Sequence, residues 1–323
     1  MIVLGIESTA HTFSASILDD SDILSLESDM FTTIKGGLIP RDVAEHHINV
    51  CGRIIQAALE KANKKITDVE LISFSQSPGI GTCLEIGALC AKALSQIHNI
   101  PIVGVNHCIA HLEIARLLTG FSDPVMLYTS GANTQVIAYQ EGRYRVFGET
   151  LDMGVGNFLD QFGRLLKLGF PAGKKIEELA KKGSKYIELP YSVKGMDVSF
   201  GGLFTNLSRM FEKYKVEDLC FSVEETVFAE LVEVTERALA HCMKNELVVT
   251  GGVGCNARLQ EMCNIMCKDR LASFKPLPAK FAVDNAAMIA WAGILKYNVQ
   301  KKSDSDLTIN QRTRTEQVEV TWR

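Results

Sequence analysis

Apolar and polar residues follow the same order in two stretches of the chain. In the first, alternation with a period of two predicts strands over residues 2–6, 12–18 and 23–27. In the second, it predicts strands over residues 125–128, 134–139 and 144–149. The first turn of each stretch is rich in small and hydroxyl-bearing residues, which allow close approach to a phosphate. This repeat predicts two related lobes with turns facing across a cleft, although two unrelated hairpins would give the same pattern.

Strands and helices alternate between and after these stretches. Short apolar runs predict buried strands over residues 71–75, 101–105 and 247–250. Apolar residues at helical spacing predict helices over residues 41–63, 83–97, 111–118, 157–166, 174–182, 217–244, 257–267 and 286–297. We expect a break in the long helix near Cys220 and a mobile polar segment over residues 301–315. The alternation indicates an α/β fold.

Composition narrows the class of protein. The 323 residues are enough for about two domains, and 46% hydrophobic residues are typical of a globular protein. A formal net charge of -4 argues against nucleic-acid binding through the overall field of the protein. No apolar run is long enough to cross a membrane, and the first residues do not resemble a secretory signal. Nine scattered cysteines predict reduced core residues in a cytoplasmic protein.

The most informative motif is the pair of histidines that follows the predicted strand at 101–105. His107 and His111 are four residues apart, so a helix would place both imidazoles on one face, one turn apart. Two such rings can reach one metal ion, and a helix that starts after a buried strand can also bind an anion. The alternative is two ordinary polar residues at a helix start.

The chain resembles the superfamily of actin, sugar kinases and heat-shock ATPases, because it has two such hairpins and a strand followed by Gly251 and Gly252. The resemblance implies two lobes related to RNase H that hold a nucleotide in a central cleft. We expect the N-terminal lobe, with the histidine pair, to cover residues 1–123. The C-terminal lobe, with the phosphate hairpin and the adenosine motif, is expected over residues 124–323.

Five motifs together narrow this resemblance to one family. They are residues 105–111 (Val-Asn-His-Cys-Ile-Ala-His), 130–135 (Ser-Gly-Ala-Asn-Thr-Gln), 148–152 (Gly-Glu-Thr-Leu-Asp), 157–162 (Asn-Phe-Leu-Asp-Gln-Phe) and 284–290 (Asp-Asn-Ala-Ala-Met-Ile-Ala). As a set they resemble the tRNA threonylcarbamoyltransferases, the TsaD or OSGEP family once called O-sialoglycoprotein endopeptidases. The likeness extends from residue 2 to residue 322, and Asn133 together with residues 314–322 indicates the archaeal or eukaryotic type.

The resemblance implies a role for each matching residue. One iron or zinc ion would be held by His107, His111, Tyr128 and Asp284. An adenine nucleotide, threonylcarbamoyl-AMP or ATP, would contact Tyr128, Thr129, Ser130, Gly131, Ala132, Asp160, Gly173, Glu177 and Asn256. Glu7 occupies the position of an acidic residue that faces the phosphates in the superfamily, with a plain strand-end carboxylate as the alternative. The catalytic base is not identified by the motifs or by the resemblance.

Four positions depart from the family pattern. Ala132 and Ala286 stand where the family usually has glycine, Ala172 replaces the first glycine of a Pro-Gly-Gly-Pro loop, and Ala257 replaces the second of two asparagines. These changes add a methyl group or remove an amide, so they are expected to alter loop geometry and nucleotide affinity. They leave the metal-binding set intact.

The family transfers a threonylcarbamoyl group to the exocyclic amine of the adenosine 3′ of the anticodon, in tRNAs that read codons starting with A. A metal ion would act as a Lewis acid and a template, and turn N–H groups would stabilise developing charge. One basic stretch could meet the tRNA, made of Arg164, Lys167, Lys174, Lys175, Lys181, Lys182 and Lys185, although solvated helix faces would look the same. The family works in the KEOPS assembly, with a small atypical kinase/ATPase, fused at the C-terminus in some archaea, and a dimerising subunit.

Three other functions are weighed against this hypothesis. A zinc peptidase would carry a glutamate beside the first histidine as general base, where this chain has Cys108. A metallo-ATPase or small-molecule kinase could use the same cleft without needing the histidine pair. A nucleotide-switched scaffold within KEOPS would need no catalysis at all.

Overall fold

A computed structural model describes residues 1–33, 39–131 and 133–323, in two compact units. The first unit comprises residues 1–118, 141–144 and 284–323, and the second comprises residues 119–140 and 145–283. Residues 284–323 therefore group with the first unit, whereas the sequence-based division placed them in the C-terminal lobe. The cleft expected between two lobes stays a prediction.

The first part of the chain alternates strands and helices as the sequence predicts. The elements are β1 (Ile2–Glu7), β2 (Thr12–Asp19), β3 (Asp22–Met30), α1 (Pro40–Lys61), β4 (Leu71–Ser77), α2 (Gly81–His98), β5 (Ile102–Asn106) and α3 (His107–Thr119). The strands form one sheet in the order β3-β2-β1-β4-β5. The first three strands are antiparallel neighbours, and β1, β4 and β5 run parallel.

The remaining elements repeat this plan with additional helices. They are β6 (Val125–Thr129), β7 (Thr134–Gln140), β8 (Arg143–Glu149), α4 (Val155–Leu165), α5 (Gly173–Ala180), β9 (Val193–Lys194), β10 (Asp197–Val198), α6 (Gly201–Met210), α7 (Val216–His241), β11 (Glu246–Thr250), α8 (Ala257–Asp269), β12 (Ser273–Pro276), α9 (Ala279–Ala282) and α10 (Ala286–Gln300). The second large sheet has the order β12-β11-β6-β7-β8. Read from β8, this is the same order as in the first sheet, so the α/β class and the internal repeat are confirmed.

Helix α7 corrects one expectation. It runs unbroken over 26 residues, and Cys220 is fully buried within it. The predicted break is wrong because Cys220 belongs to the apolar face that packs on the core of the second unit, together with Val223 and Val227. None of the helices in the described ranges is long and apolar enough to span a membrane.

Helix α10 packs directly on strand β1. A Cβ atom on Gly5 would lie 2.3 Å from the carbonyl oxygen of Ala286 and 2.9 Å from Cβ of Ala290. Only glycine in β1 therefore allows the helix this close. The close approach places the first turn of α10, and Asp284 just before it, against the central strand of the first sheet.

The polar segment after α10 is held by hydrogen bonds to strands of the first sheet. The backbone N–H of Asp304 donates to the carbonyl of Ile102, and the Asp304 carboxylate accepts from the N–H of Gly104. Further along, the side chain of Gln76 donates to the carbonyls of Asp306 and Thr308. The expectation of a mobile segment was based on polar composition alone, which does not reveal these backbone contacts.

Candidate metal centre and nucleotide-binding turns

The histidine pair lies at the start of helix α3. The side chain of Asn106, the last residue of β5, accepts from the N–H of Ile109 at 3.1 Å and so caps the helix at that point. The helix therefore begins at His107, four residues earlier than predicted. His107 and His111 lie one turn apart with ring centroids 4.7 Å apart and ring planes at 84°.

Asp284 comes from a distant part of the chain to meet both imidazoles. Asn285 caps helix α10 through the N–H of Met288, which fixes the residue before it. One carboxylate oxygen of Asp284, Oδ1, lies 3.2 Å from Nε2 of His111 and 3.4 Å from Nε2 of His107. The three side chains offer ligand atoms within 4.8 Å of one another. All three belong to the first unit, so the predicted trio is brought together.

A second carboxylate lies behind His107. Glu7, the last residue of β1, is fully buried, and its Oε2 is 3.0 Å from Nδ1 of His107. Its Oε1 accepts from both the N–H and the hydroxyl of Thr9. Sequence reasoning placed an acidic residue facing phosphates here, whereas within the first unit this carboxylate faces an imidazole.

The charges of this cluster shift the pKa values of its members. Burial alone would lower the pKa of His107, yet the carboxylates of Glu7 and Asp284 raise it well above the usual value. Burial lowers the pKa of His111, with Asp284 opposing. Burial would raise the pKa of Asp284, but His107 and His111 hold it well below its usual range. The cluster therefore favours an ionised carboxylate beside the two rings.

The donor set suits a transition metal. Two imidazole nitrogens and one carboxylate oxygen are the ligands that iron and zinc commonly take in proteins. His111 is fully buried and His107 nearly so, while the Asp284 side chain keeps 22% of its surface exposed, so the cluster has one open side. Tyr128, the fourth predicted ligand, lies buried at the end of β6 in the second unit, and its ligation stays a prediction.

In the second unit, two turns meet at the carboxyl ends of the parallel strands β6 and β11. The hydroxyl of Thr129 donates to the carbonyl of Thr250 at 2.9 Å. Gly251 has a φ of +91°, and a Cβ there would lie 2.3 Å from the carbonyl oxygen of Thr129. Only glycine fits this position. Ligands of open α/β sheets bind at such carboxyl ends.

The turn after β6 is held by helix α4. The N–H groups of Gly156 and Asn157 donate to the carbonyls of Ser130 and Gly131. The N–H of Ser130 donates to the carbonyl of Asn133, so it is already used inside the turn, and Gly131 is exposed at its tip. The helix therefore positions the turn through its first N–H groups. Ala132, also predicted to contact the nucleotide, lies outside the described residues.

Asp160 and Gly173 lie on either side of the loop before α5. The carboxylate of Asp160 accepts from the N–H of Ala172 at 2.8 Å, which anchors this loop. Ala172, one of the departures from the family pattern, is fully buried, so its methyl group fills space in the core. Gly173 begins α5 and has open space where a side chain would project.

Glu177 and Asn256 are brought together at the start of helix α8. The amide oxygen of Asn256 caps that helix by accepting from the N–H groups of Arg258 and Leu259. Glu177 accepts from Lys181 at 2.9 Å and from the N–H of Ala257 at 3.4 Å. These two predicted nucleotide contacts therefore lie beside the same helix terminus.

Sequence reasoning missed Glu224, which lies behind Asn256. The amide nitrogen of Asn256 donates to its carboxylate at 2.6 Å. Burial raises the pKa of Glu224 to about 7. Its position was visible in the sequence, since Cys220 and Phe228, one turn before and one turn after, are apolar and place Glu224 on the buried face of the helix.

The basic stretch predicted to meet nucleic acid is on the surface of the second unit. Its members, all at least partly accessible, are Arg164, Lys167, Lys174, Lys175, Lys181, Lys182 and Lys185. Lys181 pairs with Glu177, and the Lys175 ammonium donates to the carbonyl of Leu168. The stretch is therefore solvent-accessible, as a phosphate-binding surface would require.

Comparison with known proteins gives a consistent result over the whole chain. The family model described as "tRNA N6-adenosine threonylcarbamoyltransferase" matches residues 23–291. A protein of that name from Thermococcus kodakarensis is 52% identical and aligns over 100% of both chains. One from Danio rerio is 46% identical over 100% of this chain and 99% of its own length. A "probable bifunctional tRNA threonylcarbamoyladenosine biosynthesis protein" from Methanothermobacter thermautotrophicus is 51% identical, with this chain covering 61% of it.

Solved structures show the same fold at low sequence identity. T. kodakarensis HypF superposes with a TM-score of 0.64 at 12% identity, over 93% of this chain and 48% of its own. Component A of the (R)-2-hydroxyglutaryl-CoA dehydratase of Acidaminococcus fermentans gives 0.56 at 16% identity, over 92% and 99%. These likenesses concern the fold alone, and they confirm the expected actin-like α/β architecture.

Proposed function

Because the chain belongs to the tRNA N6-adenosine threonylcarbamoyltransferase family, we propose that it transfers a threonylcarbamoyl group from threonylcarbamoyl-AMP to an adenosine of tRNA. The observation that carries this conclusion is 52% identity to a relative of that name over the full length of both chains. The target is the adenosine 3′ of the anticodon in tRNAs that read codons beginning with A.

The reaction is an acyl transfer. The exocyclic nitrogen of the adenosine forms a bond to the carbamoyl carbon, and the bond from that carbon to the phosphate oxygen breaks. AMP leaves with the bonding electron pair, and the nitrogen loses one proton. The catalytic demands are therefore to hold the donor, to stabilise the charge on the leaving phosphate and to orient the amine.

The trio of the first unit would hold the iron or zinc ion. His107 and His111 offer imidazole nitrogens, and Asp284 offers a carboxylate oxygen that already faces both rings. A bound ion supplies Lewis acidity toward a substrate oxygen. The cap at Asn106 fixes the start of the helix that carries both rings.

The second unit would bind the adenine nucleotide. The turn at Ser130 and Gly131 and the turn at Gly251 lie side by side at the ends of parallel strands, where phosphates are commonly held. Glu177 and Asn256 lie at the start of α8, where their polar groups suit the hydroxyl groups of a ribose. Asp160 would act by holding the loop before α5.

Recognition of tRNA is proposed for the accessible basic stretch between Arg164 and Lys185. The net charge of -4 supports the need for KEOPS partners, the small kinase/ATPase and the dimerising subunit. We also propose that in some members a kinase is fused at the C-terminus. The relative named bifunctional, of which this chain covers 61%, supports a second activity joined to this one in a longer protein. The nine cysteines are free thiols, which supports a reducing, cytoplasmic location.

The decisive experiment measures modified adenosine in tRNA by mass spectrometry, with and without the partner subunits, together with elemental analysis of the purified chain. His111→Ala should remove the metal and abolish transfer while the circular dichroism spectrum is unchanged. His241→Ala, an exposed histidine at the end of α7, is the matched control. Undiminished transfer by His111→Ala with the complete partner set would refute the metal-dependent mechanism.

A further inference from the structure

We propose that Glu7 is a positioning residue that fixes the tautomer of His107, and that it thereby sets the affinity of the trio for a metal ion. This inference rests on the metal site of the proposed function. It assigns to Glu7 a role in the first unit other than contact with a nucleotide phosphate.

The hydrogen bonds around Glu7 leave one arrangement of protons. The Thr9 hydroxyl has a single proton, which it donates to Oε1 of Glu7 at 2.5 Å. The same hydroxyl oxygen lies 3.2 Å from Nδ1 of His107, so it can only accept there. Oε2 of Glu7, 3.0 Å from the same nitrogen, is also an acceptor. Nδ1 therefore faces two acceptors and must carry a proton.

A proton on Nδ1 leaves the lone pair of the neutral ring on Nε2. This nitrogen is the one that faces Oδ1 of Asp284 at 3.4 Å, on the same side as Nε2 of His111. Glu7 thus directs the ligating nitrogen of His107 into the trio. A carboxylate behind a metal-bound imidazole commonly raises the basicity of the ligand and fixes its orientation.

The position of Glu7 is held by three neighbouring elements. Strand β1 is bonded to β2 on one side and β4 on the other, and the N–H of Ser8 donates to the hydroxyl of Ser75 at 3.1 Å. Ser8 also fits against Gly87 of α2, where a Cβ would lie 2.1 Å from its hydroxyl oxygen. The carboxylate is therefore fixed before any ion binds, as expected of a residue that orients a ligand.

The substitution Glu7→Gln tests whether Glu7 fixes the proton on Nδ1 of His107. The two donors of Thr9 would hold the amide oxygen at the Oε1 position, so the NH₂ group would face Nδ1 of His107. Nδ1 would then have to accept, and the ring proton would move to Nε2, the ligating nitrogen. We expect zinc affinity, measured by competition with a chelator, to fall 10- to 100-fold, roughly the cost of losing such an outer partner.

The tautomer of the neutral ring is read by long-range ¹H–¹⁵N correlation spectra of the metal-free full chain, recorded at a pH above the raised pKa of His107. The variant His107→Ala assigns the signal among seven histidines. At that pH wild type should show the single ring proton on Nδ1, and Glu7→Gln should show it on Nε2. Thr9→Ser, which keeps the hydroxyl, and Glu70→Gln, an exposed carboxylate beside β1, should bind zinc like wild type.

The outcomes separate this inference from the proposed function. If His111→Ala binds zinc as tightly as wild type, the metal site itself is wrong. If His111→Ala loses zinc while Glu7→Gln keeps wild-type affinity, the site stands and the role of Glu7 is refuted. A neutral His107 ring with its single proton on Nε2 in wild type would also refute it, whether or not the Glu7→Gln variant folds.

Discussion

The two large sheets share one strand order but differ in the turn that follows the first strand. In the first unit a buried carboxylate, Glu7, directly precedes that turn and faces an imidazole. In the second, the turn exposes Gly131 and presents its carbonyls to the N–H groups of α4. The same backbone layout thus supports fixed side-chain charges in one unit and a glycine-tipped backbone turn in the other. The topology sets where chemistry can occur, and the side chains set which chemistry it is.

The largest loss of stability is expected in the first unit, for the variant Gly5→Ala. The added methyl group would overlap the backbone of Ala286 and force α10 away from β1. We expect a loss of about 3 kcal/mol of unfolding free energy, the upper end for overpacked cores, and weaker metal binding because Asp284 moves with the helix. Denaturant unfolding and zinc competition measure both effects. Wild-type zinc affinity in this variant would show that the packing of α10 does not position Asp284.

In the second unit, the contribution of Glu224 to stability should depend on pH. The pKa of Glu224 is raised to about 7, above its value of 4.5 in the unfolded chain, so the fold favours the neutral acid. Its stabilising contribution is present below pH 4.5 and is lost as the pH rises through 7. Relative to wild type, the unfolding free energy of Glu224→Gln should therefore rise by about 2 kcal/mol between about pH 5 and pH 8. One pKa unit corresponds to about 1.4 kcal/mol, and residual hydration of the carboxyl group reduces the full value.

Unfolding free energies at about pH 5, 6.5 and 8, which span the titration of Glu224, check this expectation. Glu178→Gln, a carboxylate on α5 that is at least partly exposed, serves as the control and should show no such trend. Parallel pH profiles for Glu224→Gln and wild type would contradict it.

A smaller effect is expected where the last residues of the chain meet α3. The carboxylate of Glu113 is buried and accepts from Tyr144 at 2.7 Å, from Trp322 at 3.0 Å and from Arg116 at 2.6 Å. Trp322→Phe removes one donor to a buried charge and should cost about 1.5 kcal/mol. Hydrogen exchange of α3 should speed up, while exchange in α7 of the second unit should not. Equal acceleration in both helices would mean that the two units unfold as one.

The smallest expected effect is a gain in stability. Gly52 lies inside α1, and a Cβ there would meet nothing within 4 Å. Gly52→Ala should add about 0.7 kcal/mol because alanine loses less backbone entropy in a helix. Thermal unfolding of both glycine variants checks this expectation. The unfolding temperature should be higher than that of wild type for Gly52→Ala and lower for Gly5→Ala.

Local spacing in the sequence was enough to predict most elements and the histidine pair, because four-residue spacing on a helix fixes the neighbours. Asp284 lies 173 residues from His111, so no local pattern links them, and it was predicted only through resemblance to a family. The partnership of Glu7 with His107 was not visible, because a parallel sheet brings their strand ends together across 100 residues. Polar composition suggested mobility for residues 301–315, because bonding to a sheet edge leaves no compositional signature.

The segment around Asp304 has a consequence for how the chain behaves in crowded solution. Strand β5 is the last strand of its sheet, and an uncovered last strand invites pairing with strands of other molecules. Here Ser303 and Asp304 take up the N–H groups of Ile102 and Gly104, and the N–H of Asp304 takes the carbonyl of Ile102. The segment therefore occupies the backbone groups at the edge of β5 and hinders their pairing with a strand of another molecule.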